Sequence, residues 1–180
     1  MRTVIAVSTV GLALVLSAAA PALAATGTES VAFTVAAGTL GITPGTAATG
    51  TSSALAGGVT TATVPLGLST VTDTRVNSIG WTVGIAVADF TLASGTGSVT
   101  KSHSAFSLPA APVSALGAPA VTFTYVATPT AVDATGTVAS LVVATAVGVN
   151  TGTFSPQLVV TIPNGSAVGA YTSTVTQTVV

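Results

Sequence analysis

Apolar and hydroxyl-bearing positions alternate along much of this chain. In "GWTVGIAVADF", Trp81, Val83, Ile85 and Val87 fall on one side of an extended backbone, with Thr82, Gly84 and Ala86 on the other. A period of two predicts a half-buried strand. Extended segments are also predicted for "SVAFTV" (Val31, Phe33, Val35), "GTLGIT", "TATVPLGLSTVTDTR", "VTFTYV", "SLVVATAVGV" and "PQLVVTI". In "GAYTSTVTQTVV", Tyr171, Val175 and Val179 point one way while Thr172, Thr174, Thr176 and Thr178 point the other. That segment predicts a regular strand with one apolar and one hydroxyl-bearing side. Gln177 shares the apolar side, so it must lie near the sheet's end or find a hydrogen-bond partner; an unpaired buried amide costs about 1–3 kcal/mol.

The stretches between are turn chemistry. Pro44-Gly45, "ASGTGS" and Pro163-Asn164-Gly165 read as turns. "GTAATGTSSALAGG", about residues 45–58, is low in complexity and reads as a flexible loop. Pro65 places its strand at an edge or a bulge. Leu108–Ala120 is too rich in Pro and Gly for the interior of a paired strand. "NTGTFS" reads as a hairpin loop between the two segments flanking it, with Gly152 at a positive φ. Eight or nine short strands, with almost nothing helical, predict an all-β, antiparallel β-sandwich of the Ig-like kind with one core.

The opening residues change where this sandwich is expected to work. "MRTVIAVSTVGLALVLSAAAPALAA" has one positive charge at Arg2, an apolar run and the small-residue triplet Ala22-Leu23-Ala24. It reads as a secretory signal peptide over residues 1–24, leaving a single domain over 25–180. The apolar run is short for a membrane span, which needs roughly 20 residues. With no cysteine, a lipid-modified N-terminal cysteine and a disulfide framework are both excluded. The chain also ends without a sorting signal or hydrophobic tail. The expectation is a secreted, extracellular protein with no membrane span.

Charge narrows the partners. Charged residues make up 4% of the chain and the formal net charge is −1. There is no basic footprint for nucleic acid and no polybasic patch for anionic lipid. Thr, Ser and Gly supply the polar surface instead, and such a surface repels its own copies weakly.

Candidate chemistry is sparse. His103, the only histidine, lies in "TKSHSAF", and no G-x-S-x-G elbow accompanies it; it reads as a solvated loop residue. Glu29, Asp73, Asp89 and Asp133 are scattered singly, whereas a calcium site gathers six to eight oxygens. No metal, no cofactor and no enzymatic activity are expected. Lys101 is a weak candidate for a cross-link, which would need a desolvated amine beside a buried carboxyl. Asp73 and Arg75 share a strand face; they read as a post fixing the turn before "NSIGW", or else as a polar recognition site. Trp81 either fills the core or stacks on a sugar, and its companions Val83, Ile85 and Val87 favour the core.

"GWTVGIAV" and "YTSTVTQTV" together resemble the two signature regions of WxL-domain surface proteins. Trp81-Thr82-Val83 matches the first Trp-x-Leu motif with Val for Leu. Tyr171, Val175, Thr176 and Val179 fall in the register of the second, where Gln177 replaces the Trp. "LGLSTVTDTRVNSIGW" and "IPNGSAVGAY" are similar to the approaches to those motifs, so the resemblance spans most of residues 25–180. It implies a WxL-like β-sandwich whose terminal strand pairs inside the sheet with Tyr171, Val175 and Val179 on the core, held non-covalently to the peptidoglycan of a Gram-positive cell wall. The binding residues proposed, from the resemblance and from the polar pair described above, are Trp81, Asp73, Arg75, Tyr171 and Gln177. A self-assembling surface subunit, joined through strand edges or to other surface proteins, is the alternative, and an exported hydrolase follows behind it. The Thr-, Ser- and Pro-rich segments are also candidates for O-linked sugars.

Overall fold

The computed structural model describes residues 30, 32–54, 60–77, 79–114, 121–146 and 148–180. The leader expected over residues 1–24 lies outside them. Among the described residues the regular structure is sixteen strands and one 3₁₀ turn at Lys101–His103. The first seven strands are β1 (Leu40–Thr43), β2 (Thr51–Ala54), β3 (Thr60–Pro65), β4 (Ser69–Asp73), β5 (Trp81–Val87), β6 (Phe90–Leu92) and β7 (Ser98–Val99). Then come β8 (Ser104–Ser107), β9 (Val113–Ser114), β10 (Thr122–Tyr125), β11 (Thr130–Ala131) and β12 (Thr137–Thr145). The last four are β13 (Asn150–Phe154), β14 (Gln157–Ile162), β15 (Tyr171–Thr172) and β16 (Val175–Val179). They form four antiparallel sheets, ordered β1-β4-β13-β9, β11-β8-β14-β3-β2, β10-β12-β5-β16 and β15-β6-β7.

Two of these sheets share one long ladder. Asp73 pairs with Asn150 and Ser69 with Phe154; the same two chain segments then pair Pro65 with Gln157 and Thr60 with Ile162. At the junction Leu66, Gly67 and Leu68 oppose only Ser155 and Pro156. The extra residue is a bulge, and Gly67 supplies it with a φ of 75° that a side chain disfavours. Leu66 stays tied across the break, its N–H donating to the Pro156 carbonyl at 2.9 Å. The slip has a purpose in the packing: Ala62 and Val64 face the core before it, Val71 and Asp73 after it. Without it, one half of the ladder would turn its apolar side to water.

The facing layer is β10-β12-β5-β16. Trp81, Val83, Ile85 and Val87 of β5 are all buried, as the alternation in "WTVGIAV" predicts. Beside them β12 is irregular: Ala139, Ser140 and Leu141 stand against Gly84 alone, so the neighbours Leu141 and Val142 are both buried. These side chains join Val71, Phe106, Phe154, Leu158 and Val160 in one hydrophobic cluster. The architecture is an all-β, antiparallel β-sandwich. Contacts along the chain divide it after Val35, and Ala36–Val180 is one compact unit.

Several local expectations change. "NTGTFS" is not a hairpin loop; Asn150–Phe154 is strand β13, central in its sheet. Gly152 is accordingly extended and buried under the Trp81 ring, and the positive φ falls at Gly148 (74°). Within the loop expected at 45–58, Thr51–Ala54 pairs with β3; residues 55–59 lie outside the described ones. Residues 32–35 carry the predicted alternation but no ladder, because period-two patterning supplies a face and not a partner. Pro65 closes β3 next to the bulge. The segment 171–180 splits into β15, which pairs with β6, and β16, an edge strand on β5 rather than one paired on both sides. The strand count exceeds eight or nine because bulges divide long segments and several strands are two-residue bridges.

Candidate functional site

Asp73 ends β4 on the inward face, with its side chain fully buried. Arg75 folds back over it: Nε donates to Oδ1 at 2.9 Å and Nη2 to Oδ2 at 2.9 Å. The Arg75 backbone N–H adds a third bond to Oδ1 at 3.0 Å. Two parallel charge-assisted bonds are the strong form of this pairing. They hold the guanidinium above its ordinary pKa, the hydrogen bond to Asp73 contributing most. Nη2 also donates to the Gly80 carbonyl at 3.0 Å, so the pair fixes the entry into β5.

Trp81 follows at once and is 3% exposed. Its Nε1 donates to Asn150 Oδ1 at 2.8 Å across the two layers, and Asn150 Nδ2 donates to the Gly148 carbonyl at 2.8 Å. Asn150 in turn sits opposite Asp73 in the β4–β13 ladder. The four residues Asp73, Arg75, Trp81 and Asn150 thus form one internal post. A buried indole already engaged with Asn150 leaves no face for a sugar, so the stacking alternative for Trp81 falls away.

The other two predicted binding residues lie elsewhere. Tyr171 opens β15, and its hydroxyl donates to the Ala167 carbonyl at 2.8 Å. Gln177 sits mid-strand opposite Ile85, on the edge strand of its sheet. Its Oε1 is buried and makes no hydrogen bond among the described residues. It faces a hollow of about 150 Å³ lined also by Pro44, Gly45, Ala47, Leu66 and Ser173. Of the two outcomes that the sequence offered for Gln177, the position at the sheet's edge is met and the hydrogen-bond partner is not.

The titratable groups do not converge. His103 is exposed in the 3₁₀ turn, and Lys101 places its backbone N–H on Asp89 Oδ1 at 2.8 Å. Asp133 accepts from the Thr135 hydroxyl (2.6 Å), the Thr135 N–H (2.8 Å) and the Thr137 N–H (2.9 Å). Those donors, the hydroxyl first, hold its carboxyl below the ordinary 3.8. No three His, Cys, Asp or Glu side chains gather among the described residues. No helix among them is long and apolar enough to cross a membrane.

Two surfaces remain as places for a partner. The first is the outward side of β10-β12-β5-β16. Thr122 pairs with Thr145, Thr124 with Val143, and Val143 with Thr82. Thr178 pairs with Gly84 and Thr176 with Ala86. This face is therefore built of hydroxyls, small side chains and one Val, with no charge on any of the four strands. The second is a cleft of about 520 Å³ where the inner face of β3 and β14 opens beside β15-β6-β7. Ala62, Val64, Phe90, Val99, Val160 and Ile162 form its apolar wall, and the segment from Pro163 to Tyr171 its rim. No lining residue is charged.

Sequence reasoning missed both surfaces as sites. The Thr face had a signal, the hydroxyl-bearing positions of the alternating strands; the cleft had none, because its wall comes from four separate segments. No protein family, no curated protein and no solved structure matches the chain.

Proposed function

We propose that this chain is a secreted, non-catalytic binding module that associates non-covalently with the cell wall of a Gram-positive bacterium. The observation that carries the reading is the uncharged Thr face of β10-β12-β5-β16. Its exposed members Thr122, Thr124, Thr145, Thr176 and Thr178 present hydroxyl donors and acceptors from a pleated surface without bulky side chains. Such a face can lie along an extended, hydroxyl-rich polymer such as peptidoglycan glycan and exchange hydrogen bonds with it. Each bond contributes about 0.5–1.5 kcal/mol net, so affinity comes from many of them. The signal-like leader and the resemblance to WxL domains agree with this placement. The binding role moves from Trp81 and Asp73, which are interior, to the Thr rows above β5.

Incubation with purified peptidoglycan sacculi tests the reading. The chain from Ala25 should sediment with the sacculi, and Thr124→Glu/Thr178→Glu should bind about tenfold more weakly while keeping its circular dichroism. Protein left wholly in the supernatant at low salt, or an unchanged affinity in the double variant, refutes it.

A further inference from the structure

We infer that the cleft beside Tyr171 receives the segment Phe33–Val35 from a second copy of this chain, linking copies head to tail by strand insertion. This goes beyond wall association and uses a different surface from the Thr face.

Three observations carry it. First, Phe33 is 84% exposed and Val35 66% exposed, two large apolar side chains at strand spacing on a segment without a ladder. In extended form both point to one side, with Thr34 to the other. Second, the cleft is an open part of the sandwich interior: its wall continues the buried faces of β3, β14 and β6, and its volume lies in the range of roughly 300–1,000 Å³ usual for occupied sites. Third, neither partner carries charge: the cleft lining has none, and the chain from Ser30 to Thr72 has none. Insertion therefore desolvates no ionic group.

The register points to a second copy rather than to the same chain. Leu40 pairs with Asp73, and Thr39 is tied to Thr74 by Thr39 N–H on Thr74 Oγ1 (2.7 Å) and Thr74 N–H on the Thr39 carbonyl (2.8 Å). Read backwards from Leu40, the chain therefore leaves by the Asp73 end of the long ladder, while the cleft opens beyond Pro65 at the other end. From Leu40 back to Phe33 the chain reaches at most about 24 Å when fully extended. The ladder from Asp73 to Ala62 covers about 36 Å. An extended peptide completing another molecule's sheet region is an established mode of recognition. Because the two contributing surfaces differ, the contact is heterologous and propagates into open chains unless the rotation closes a ring.

Sedimentation of the chain from Ala25 over rising concentration reads the association. The wild type should form dimers and longer series, and Phe33→Glu/Val35→Glu should weaken this at least tenfold while still binding sacculi as the wild type does. Disulfide capture gives the geometry, since the sequence holds no cysteine. Mixed Phe33→Cys and Ala62→Cys chains should form a cross-linked heterodimer under mild oxidation. A Thr124→Cys chain mixed with Phe33→Cys should not. A wild type monomeric at millimolar concentration, association unaffected by the double Glu variant, or a Phe33→Cys/Ala62→Cys chain that closes only on itself would each overturn the inference. Persistent association of the double Glu variant would assign it to strand edges instead.

Discussion

A β-carbon at residue 152 would stand 2.6 Å from Trp81 Cζ2 and 3.2 Å from Phe123. The tilted Trp81–Phe123 pair, with centroids 5.9 Å apart, already fills the space above the strand. Gly152→Ala should therefore destabilise the fold by about 1–3 kcal/mol, the usual cost of overpacking, measurable as a lower urea midpoint. "NTGTFS" suggested a turn because Gly and Asn are turn residues in most contexts; the ring that requires Gly152 comes from far earlier in the chain. Asp133 illustrates a different local effect. Its carboxyl titrates below the ordinary 3.8, so the charged form favours the folded state. That contribution is complete above the unfolded-state pKa and vanishes as pH falls through the lower folded-state value. The stability advantage of wild type over Asp133→Asn should accordingly be constant near neutrality and shrink below about pH 4, as chemical denaturation at several pH values would show.

Among the elements, the long ladder with its one-residue slip is the most exposed to perturbation. Deleting Gly67 would put β3 out of phase with β4 and turn Ala62 and Val64 outward. Gly67→Ala keeps the phase, but it puts a side chain on a left-handed backbone, with the β-carbon 2.5 Å from the Thr46 carbonyl oxygen. The deletion should broaden the unfolding transition, whereas the substitution should lower the melting temperature with the transition still sharp, its left-handed conformation costing about 1–2 kcal/mol before the Thr46 contact is added; comparing the two melts separates phase from strain. Strand β5 was readable because each of its inward positions is a large apolar residue. So was the Val175–Val179 alternation, whose Thr176 and Thr178 are exposed. Pro65 pointed to the bulge region, yet the offset itself depends on Ser155-Pro156 across the sheet and has no local signature. Residues 32–35 show the converse case, a strand pattern that the described fold leaves without a ladder.

At the scale of the molecule, low charge is the property that most shapes behaviour. It leaves both the Thr face and the cleft without charge, and it supplies almost none of the Lys residues that usually blunt sheet edges. The sandwich class was legible in the spacing of short strands between turns. The position of the proposed binding surface was not, because the residues rare enough to attract notice, Trp81, Asp73 and Arg75, are spent on the interior post. What faces outward is common Thr, whose significance appears only when four strands set it in rows.

The ladder joining Thr60–Asp73 to Asn150–Ile162 has a temporal consequence. During synthesis β3 and β4 have no central partner until the final quarter of the polypeptide exists, and β5, once β12 has been made, still waits for Val175–Val179 on its other side. Pairings of such sequence separation close slowly. Until Asn150–Ile162 exists, β4 and β3 hold only their outer neighbours β1 and β2, so the interior between the layers is the last part of the molecule to close.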